Sequence, residues 1–378
     1  MIVVVYGTTG ELIKIGPLLR ALEQRGEPAL TLCTGQQVEQ IPPMLASFGL
    51  SEPSIWLGRG RRDRDLRVLG DLPAWGTHVA RRFARVRPSL RRAMATDARR
   101  SLLVVHGDTM TTVLGALMGR SLRVPVAHVE AGLRSGNWLN PFPEELNRHA
   151  TSRLAEIHLA PNAWAADNLR RARVRGRIVD IGGNTVIDAL RDFGHAAPTV
   201  APSEPYGIAS LHRQELLGQP RLLRTTLELL AEAARDRPLL FVDHPITVAA
   251  ISGAGLDHLL EGVQRIPRQP YRDFISLLRG SEFLITDSGG SQEECAALGL
   301  PCLIHRRATE RLEGLGECVV LSNMDVDVAR GFLRDFASLR RPPLEHAGSP
   351  TARIVDFLAD EGFLAAGAAA GDGLPESR

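Results

Sequence analysis

The sequence predicts an α/β protein of two doubly wound, Rossmann-like domains facing one another across a cleft. Short apolar runs recur along the chain, and each stops at a small or polar turn before a helical pattern begins, as buried parallel strands feeding helices do. The length of 378 residues exceeds what one hydrophobic core comfortably serves. An irregular, Pro-rich stretch at 196–205 breaks the rhythm, which then resumes. That shift sets a first domain at 1–195 and a second at 196–345, followed by a closing helix at 346–361 and a disordered Ala- and Gly-rich tail from 362.

Residues 2–5 form the first strand, and Gly7-Thr8-Thr9-Gly10-Glu11 turns the chain into an amphipathic helix carrying Ile15, Leu18, Leu19 and Leu22. Free backbone N–H groups at such a turn make an anion site. A strand at 29–33 ends in Thr34-Gly35-Gln36-Gln37, and a basic amphipathic helix at 75–98 leads to the strand at 102–105. This strand ends at His106-Gly107-Asp108-Thr109, and the strand at 124–128 ends in the same way at Glu130-Ala131-Gly132. Pro141-Phe142-Pro143 fixes a turn, after which Glu144 and Glu145 open a helix through Asn147 and Arg148. Strands at 157–160 and 178–181 complete the first half. In the second half strands are expected at 206–210, 239–242, 283–286, 302–304 and 319–321, with helices between them.

The net charge of +2 leaves no electrostatic footprint for nucleic acid or an anionic membrane surface. The basic cluster at 58–67 also contains acids and reads as a solvated loop. No apolar run reaches the ~20 residues that span a bilayer, and residues 1–6 lack the basic flank and cleavage site of a signal peptide. The expected compartment is the cytoplasm. Cys33, Cys295, Cys302 and Cys318 have no metal-ligand spacing and are expected to be reduced and buried. With no metal cluster and no full G-x-G-x-x-G fingerprint, neither a metal nor a nicotinamide cofactor is expected. Among 45 basic residues Lys14 is the only lysine, beside the first turn, where a point charge rather than a planar fork is retained.

Ligands of open α/β sheets bind outside the carboxyl ends of the strands. Asp108 and Glu130 fall there, and Glu144 joins them as a third acidic group at the start of the next helix; Glu145 reads equally as a partner of the helix dipole. His212 and His244 each follow a strand of the second half, although a histidine in that position is more often structural. In Thr286-Asp287-Ser288-Gly289-Gly290, the small residues Ser288, Gly289 and Gly290 let the backbone approach a diphosphate at a helix N-terminus. Glu294, one turn later, can accept both hydroxyls of a ribose, whereas Glu293 reads as dipole-compensating or solvated.

The segments HGDT, VPVAHVEAGLRSGN, PFPEELNR, GGNTVIDAL and TDSGGSQEE resemble the non-hydrolysing UDP-N-acetylglucosamine 2-epimerases, in the family order. The resemblance implies the two-domain architecture of GT-B proteins, a nucleotide-sugar substrate, a homodimer and a place in cell-surface polysaccharide biosynthesis. It implies that Asp108, Glu130, Glu144 and, through the match of Leu211-His212-Arg213-Gln214-Glu215 to the family's A-H-R-x-E pattern, His212 form the catalytic acid–base set, that Gln269 and Phe274 hold the uracil and that Arg311 and Lys14 attend the nucleotide. Gln36, Arg134 and His244 are implied as supporting or second-site residues. The family's first turn reads G-T-R-P-E; here Thr9 replaces the arginine and Gly10 the proline, and Gln37 replaces a histidine after Gln36. The implied reaction expels UDP from C1 as the C2 proton leaves, giving 2-acetamidoglucal, and re-adds UDP after reprotonation from the other face. Three alternatives stay open: a hydrolysing 2-epimerase releasing ManNAc and UDP, an epimerase acting on another nucleotide sugar, and a GT-B glycosyltransferase.

Overall fold

The computed structural model describes residues 1–59, 65–66, 69–138, 142–193, 200–309, 311–344 and 348–365. Most of the basic cluster at 58–67, Pro141, residues 194–199 of the predicted domain boundary, residues 346–347 before the closing helix, and the tail from 366 lie outside the described residues. The chain divides into two compact units, Met1–Thr185 with Gly348–Arg378, and Val186–Ala347.

The first unit is built on a seven-stranded parallel sheet: β1 (Ile2–Tyr6), β2 (Leu30–Cys33), β3 (Ile55–Trp56), β4 (Leu102–His106), β5 (Val126–Val129), β6 (Ile157–Ala160) and β7 (Arg177–Asp180). Their order in space is β3-β2-β1-β4-β5-β6-β7. The order reverses direction between β1 and β4, the switch point at which such sheets bind ligands. β1 alternates across the sheet: Ile2, Val4 and Tyr6 enter one core, Val3 and Val5 the other. The first core is completed by Leu12, Ile15 and Leu18 of the helix Thr9–Gln24 and by Ile354, Val355 and Leu358 of the helix Pro350–Asp360. The second is filled by Trp75, Val79 and Phe83 of the helix Leu72–Thr96 and by Ala116, Met118 and Leu122 of the helix Met110–Leu122.

The second unit repeats the plan with six parallel strands: β8 (Gly207–Ser210), β9 (Leu239–Asp243), β10 (Gln264–Pro267), β11 (Phe283–Thr286), β12 (Cys302–Ile304) and β13 (Val319–Leu321). The order β10-β9-β8-β11-β12-β13 puts its switch point between β8 and β11.

Three features depart from the sequence expectation. β3 and β10 were not expected: β3 has two residues, β10 is largely exposed and ends in proline, and both are sheet edges. The units divide at Thr185 rather than after residue 195. The helix Val186–Asp192 packs against the helix Gly289–Leu298, and Arg279 donates to the Leu190 carbonyl at 2.9 Å. The packed chain also runs beyond residue 362, because Phe363 and Leu364 are buried in the first core.

Candidate active site

In the first unit the turn after β1 is closed by its own acid. Thr8 and Glu11 form a capping box. The buried Glu11 carboxylate accepts from the Gly7 and Thr8 N–H groups at 2.8 and 2.9 Å, and from the Thr109 hydroxyl beyond β4 at 2.6 Å. The Thr9 N–H and hydroxyl both donate to Gln37 Oε1, at 2.7 and 2.8 Å. The N–H groups of Gly7, Thr8 and Thr9, expected to be free for an anion, are therefore already bonded, and the turn is not an open phosphate site. Burial pushes the Glu11 carboxyl above its ordinary range despite these donors. Gln36 accepts from Thr111 at 3.0 Å in the same cluster.

Glu130 follows β5 with φ of 64°, a left-handed conformation that costs a non-glycine residue about 1–2 kcal/mol. It brings the buried carboxylate to 2.6 Å from Lys14 Nζ and 3.1 Å from His106 Nε2. An ammonium at that distance favours the ionised carboxylate. Asp108, beyond β4, stands 2.5 Å from an Arg148 guanidinium nitrogen, and its carbonyl accepts from Asn147 at 2.8 Å. His128 meets the Gly107 carbonyl through Nε2 at 2.7 Å; burial holds this ring neutral, with its pKa lowered to about 3.

The helix Glu144–Leu154 separates its two opening acids. Glu145 is buried and structural, accepting from Arg148 at 2.9 Å and from the Ser135 N–H at 3.1 Å. Glu144 has a buried Oε2 with no hydrogen-bond partner among the described residues. Arg134 donates to the Leu133 carbonyl and to the Ser152 hydroxyl, and burial lowers its pKa to about 10.

In the second unit His212 and Asp287 meet beyond the ends of β8 and β11. The fully buried Asp287 accepts the N–H groups of His212 and Arg213 at 2.8 and 2.7 Å, and His212 stacks on His244 with ring centroids 4.6 Å apart. Burial lowers both histidines to about 4. Ser288 caps the helix Gly289–Leu298, and the space above Gly290 is open to Ser288 Oγ at 3.7 Å. Glu294 is buried beside Tyr271, whose phenol is held well above its ordinary pKa by burial and by that carboxylate. Glu293 is buried and ion-paired with Arg311, which corrects the expectation of a solvated acid. Gln292 pins the same loop, donating to the carbonyls of Arg311 and Glu313 and accepting from Thr309. Gln269 donates to the Pro267 carbonyl, and Phe274 is half-buried while Leu277 and Leu278 of its helix are fully buried.

Glu11, Arg148, Asp287 and Gln292 are the organising residues that the sequence reading did not single out. The Thr8-x-x-Glu11 spacing carried a signal for the first; the others depend on partners distant in sequence. The four cysteines are free and buried. Among the described residues no helix is long and apolar enough to cross a membrane, and no acidic, histidine and cysteine cluster could hold a metal ion.

A family model described as UDP-N-acetylglucosamine 2-epimerase matches residues 75–330. A UDP-N-acetylglucosamine 2-epimerase of Yersinia pestis is 33% identical over 338 residues, covering 85% of each chain. One from Bacillus subtilis is 31% identical over 83% of this chain and 80% of its own. The solved structure of the Methanocaldococcus jannaschii UDP-GlcNAc 2-epimerase in complex with UDP-GlcNAc and UDP aligns with a TM-score of 0.76 and 26% identity, over 95% of this chain and 99% of that one.

Proposed function

Because the chain belongs to the UDP-N-acetylglucosamine 2-epimerase family and is an enzyme of that isomerase class, we propose that it interconverts UDP-GlcNAc and UDP-ManNAc without hydrolysis. The observation that carries this reading is the carboxylate set at the strand ends of the first unit, with Glu130 held 2.6 Å from the chain's single lysine. C2 of an N-acetylhexosamine has no adjacent carbonyl to acidify its proton, so the proton must leave as the C1–oxygen bond breaks. Its electron pair forms the C1–C2 double bond, and UDP departs with the electrons of the broken bond. In the return step C2 is protonated from the opposite face and a UDP oxygen attacks C1. Glu130, 2.6 Å from the Lys14 ammonium, is suited to accept a proton. Glu144, whose Oε2 has no protein partner among the described residues, is suited to exchange a proton with the sugar in the other step. Asp108 is held by Arg148 as the third member.

The second unit supplies the nucleotide-holding groups in this reading: the Ser288–Gly290 turn and helix dipole for the diphosphate, Glu294 for the ribose, Gln269 and Phe274 for the base, and His212 and Arg311 beside the phosphates. A homodimer and a cytoplasmic location belong to the same proposal. One observation favours a second reading. The neutral Thr9–Gln37 pair occupies the turn where the family has a cation, which leaves one charge fewer to retain UDP and favours hydrolytic release of ManNAc.

Incubation with UDP-GlcNAc in heavy water, followed by proton NMR, tests both. Deuterium at C2 of UDP-linked gluco and manno sugars is the expected result. Free ManNAc accumulating with UDP would select hydrolysis, and absence of exchange and turnover would rule out both for this substrate.

A further inference from the structure

β8 and β11 run side by side in register, from Gly207 opposite Phe283 to Ser210 opposite Thr286, so the residues just past their ends are forced together. We propose that Asp287 is a positioning residue that fixes the tautomer and tilt of His212, keeping the ring proton on Nδ1 and leaving Nε2 as the bare nitrogen offered to the ligand. The proposal rests on His212 working on the nucleotide sugar.

Asp287 is wholly buried, and its two oxygens have different tasks. Oδ2 accepts the N–H groups of His212 and Arg213 at 2.8 and 2.7 Å, which fixes the carboxylate plane. Oδ1 stands 3.2 Å from His212 Nδ1, and both atoms are buried with no hydrogen-bond partner among the described residues. Leaving a buried donor or acceptor unmatched is destabilising. A bare Nδ1 would set its lone pair against the carboxylate oxygen 3.2 Å away, whereas a proton on Nδ1 meets that oxygen in an off-line electrostatic contact rather than a hydrogen bond.

The ring face is held separately. His244 stacks on it at 4.6 Å and 28°, and is itself 3.1 Å from the Ser210 hydroxyl through Nε2. Nδ1 is buried while the His212 side chain is 33% exposed, so the open edge of the ring is the one carrying Nε2. A proton accepted there would create an imidazolium against the Asp287 carboxylate, the arrangement that stabilises the protonated histidine of a catalytic triad.

Asp287→Asn discriminates positioning from mere structural support. The two backbone donors would claim the single amide oxygen, turning the amide NH2 toward His212 Nδ1. Facing a donor, Nδ1 must become an acceptor, and the ring proton moves to Nε2. Long-range 1H–15N NMR of histidine-labelled protein at pH 7.5 reads the tautomer directly, with the His212 signal assigned by its loss in His212→Asn. The expected result is Nδ1–H in the native protein and Nε2–H in D287N, whose turnover falls on the order of 10²–10⁴-fold with a thermal midpoint near the native one.

A native ring carrying its proton on Nε2, or a D287N ring unchanged from the native one, would overturn the proposal, even if D287N were inactive. Should D287N fail to fold, the native spectrum decides. That spectrum needs no substrate, so inactivity of the native protein on UDP-GlcNAc would count against the proposed function and not against the dyad.

Discussion

Lys14 places an ammonium 2.6 Å from Glu130 with both side chains buried. Truncating one member of a buried ion pair typically costs about 3–5 kcal/mol. Lys14→Met is expected to lose stability on that order in urea unfolding and to lose turnover with it. Lys14→Arg restores the charge but not the compact geometry, and its kcat is expected to stay on the order of 100-fold down. Glu11→Gln tests the closed turn: an amide offers one acceptor where the carboxylate offers two, and its NH2 would confront existing donors. A stability loss of about 2 kcal/mol is expected, read by the same unfolding measurement. Lys14 and Glu130 were each singled out in the sequence, one by its uniqueness and the other by its place at a strand end. Their pairing was not, since it joins residues 116 positions apart. The first turn was by itself a weak signal for an anion site, and its bonding was hidden for a similar reason: Glu11 and Gln37 take up its N–H groups, and Gln37 lies 28 residues beyond Thr9.

The helix Met110–Leu122, which starts just after Asp108, lies close on its sheet because two glycines face it. A Cβ on Gly115 would come to 2.6 Å from Val105 Cγ1, and one on Gly119 to 2.4 Å from Val126 Cγ2. Overpacking of this kind costs about 1–3 kcal/mol. Gly119→Ala should therefore lower the thermal midpoint despite alanine's higher helix propensity; an unchanged or raised midpoint would show that the helix can shift without cost. Strands such as β1, β4 and β11 were legible because they are buried on both faces and read as unbroken apolar runs. β3 and β10 escaped because edge strands need only pair on one side and carry no such run. Glu293 was misread for a related reason. Its place near a helix start suggests a dipole-compensating or solvated acid, but it is buried and paired with Arg311.

Across the whole molecule the buried histidines set the response to acid. His128, His212 and His244 are lowered to about 3, 4 and 4, against about 6.5 in an unfolded chain. The unfolded state therefore takes up protons that the folded state refuses, and stability falls as pH drops below about 6.5. Glu11 and Asp287, raised by burial, act with the opposite sign, adding stability at low pH that is lost as pH rises through their folded pKa values. His128→Gln isolates one contribution, because glutamine can still donate to the Gly107 carbonyl but does not titrate. Between pH 6.5 and 5 its stability should fall less steeply than that of the native protein, by about 1 kcal/mol per pH unit in denaturant titrations. The two-unit plan was legible in the repeated strand–turn–helix rhythm, whereas the division at Thr185 was not, because Val186–Asp192 joins the second unit through contacts rather than composition. The return of residues 348–365 to the first core has a consequence for biosynthesis. Ile354, Val355, Leu358, Phe363 and Leu364 leave the ribosome only after all of Val186–Ala347 has been made. At about 5–20 residues per second, the nascent first sheet waits roughly ten to thirty seconds with that apolar face uncovered. The second unit, contiguous in the chain, can close before the first is complete, and the interval between them is when a holding chaperone has its substrate.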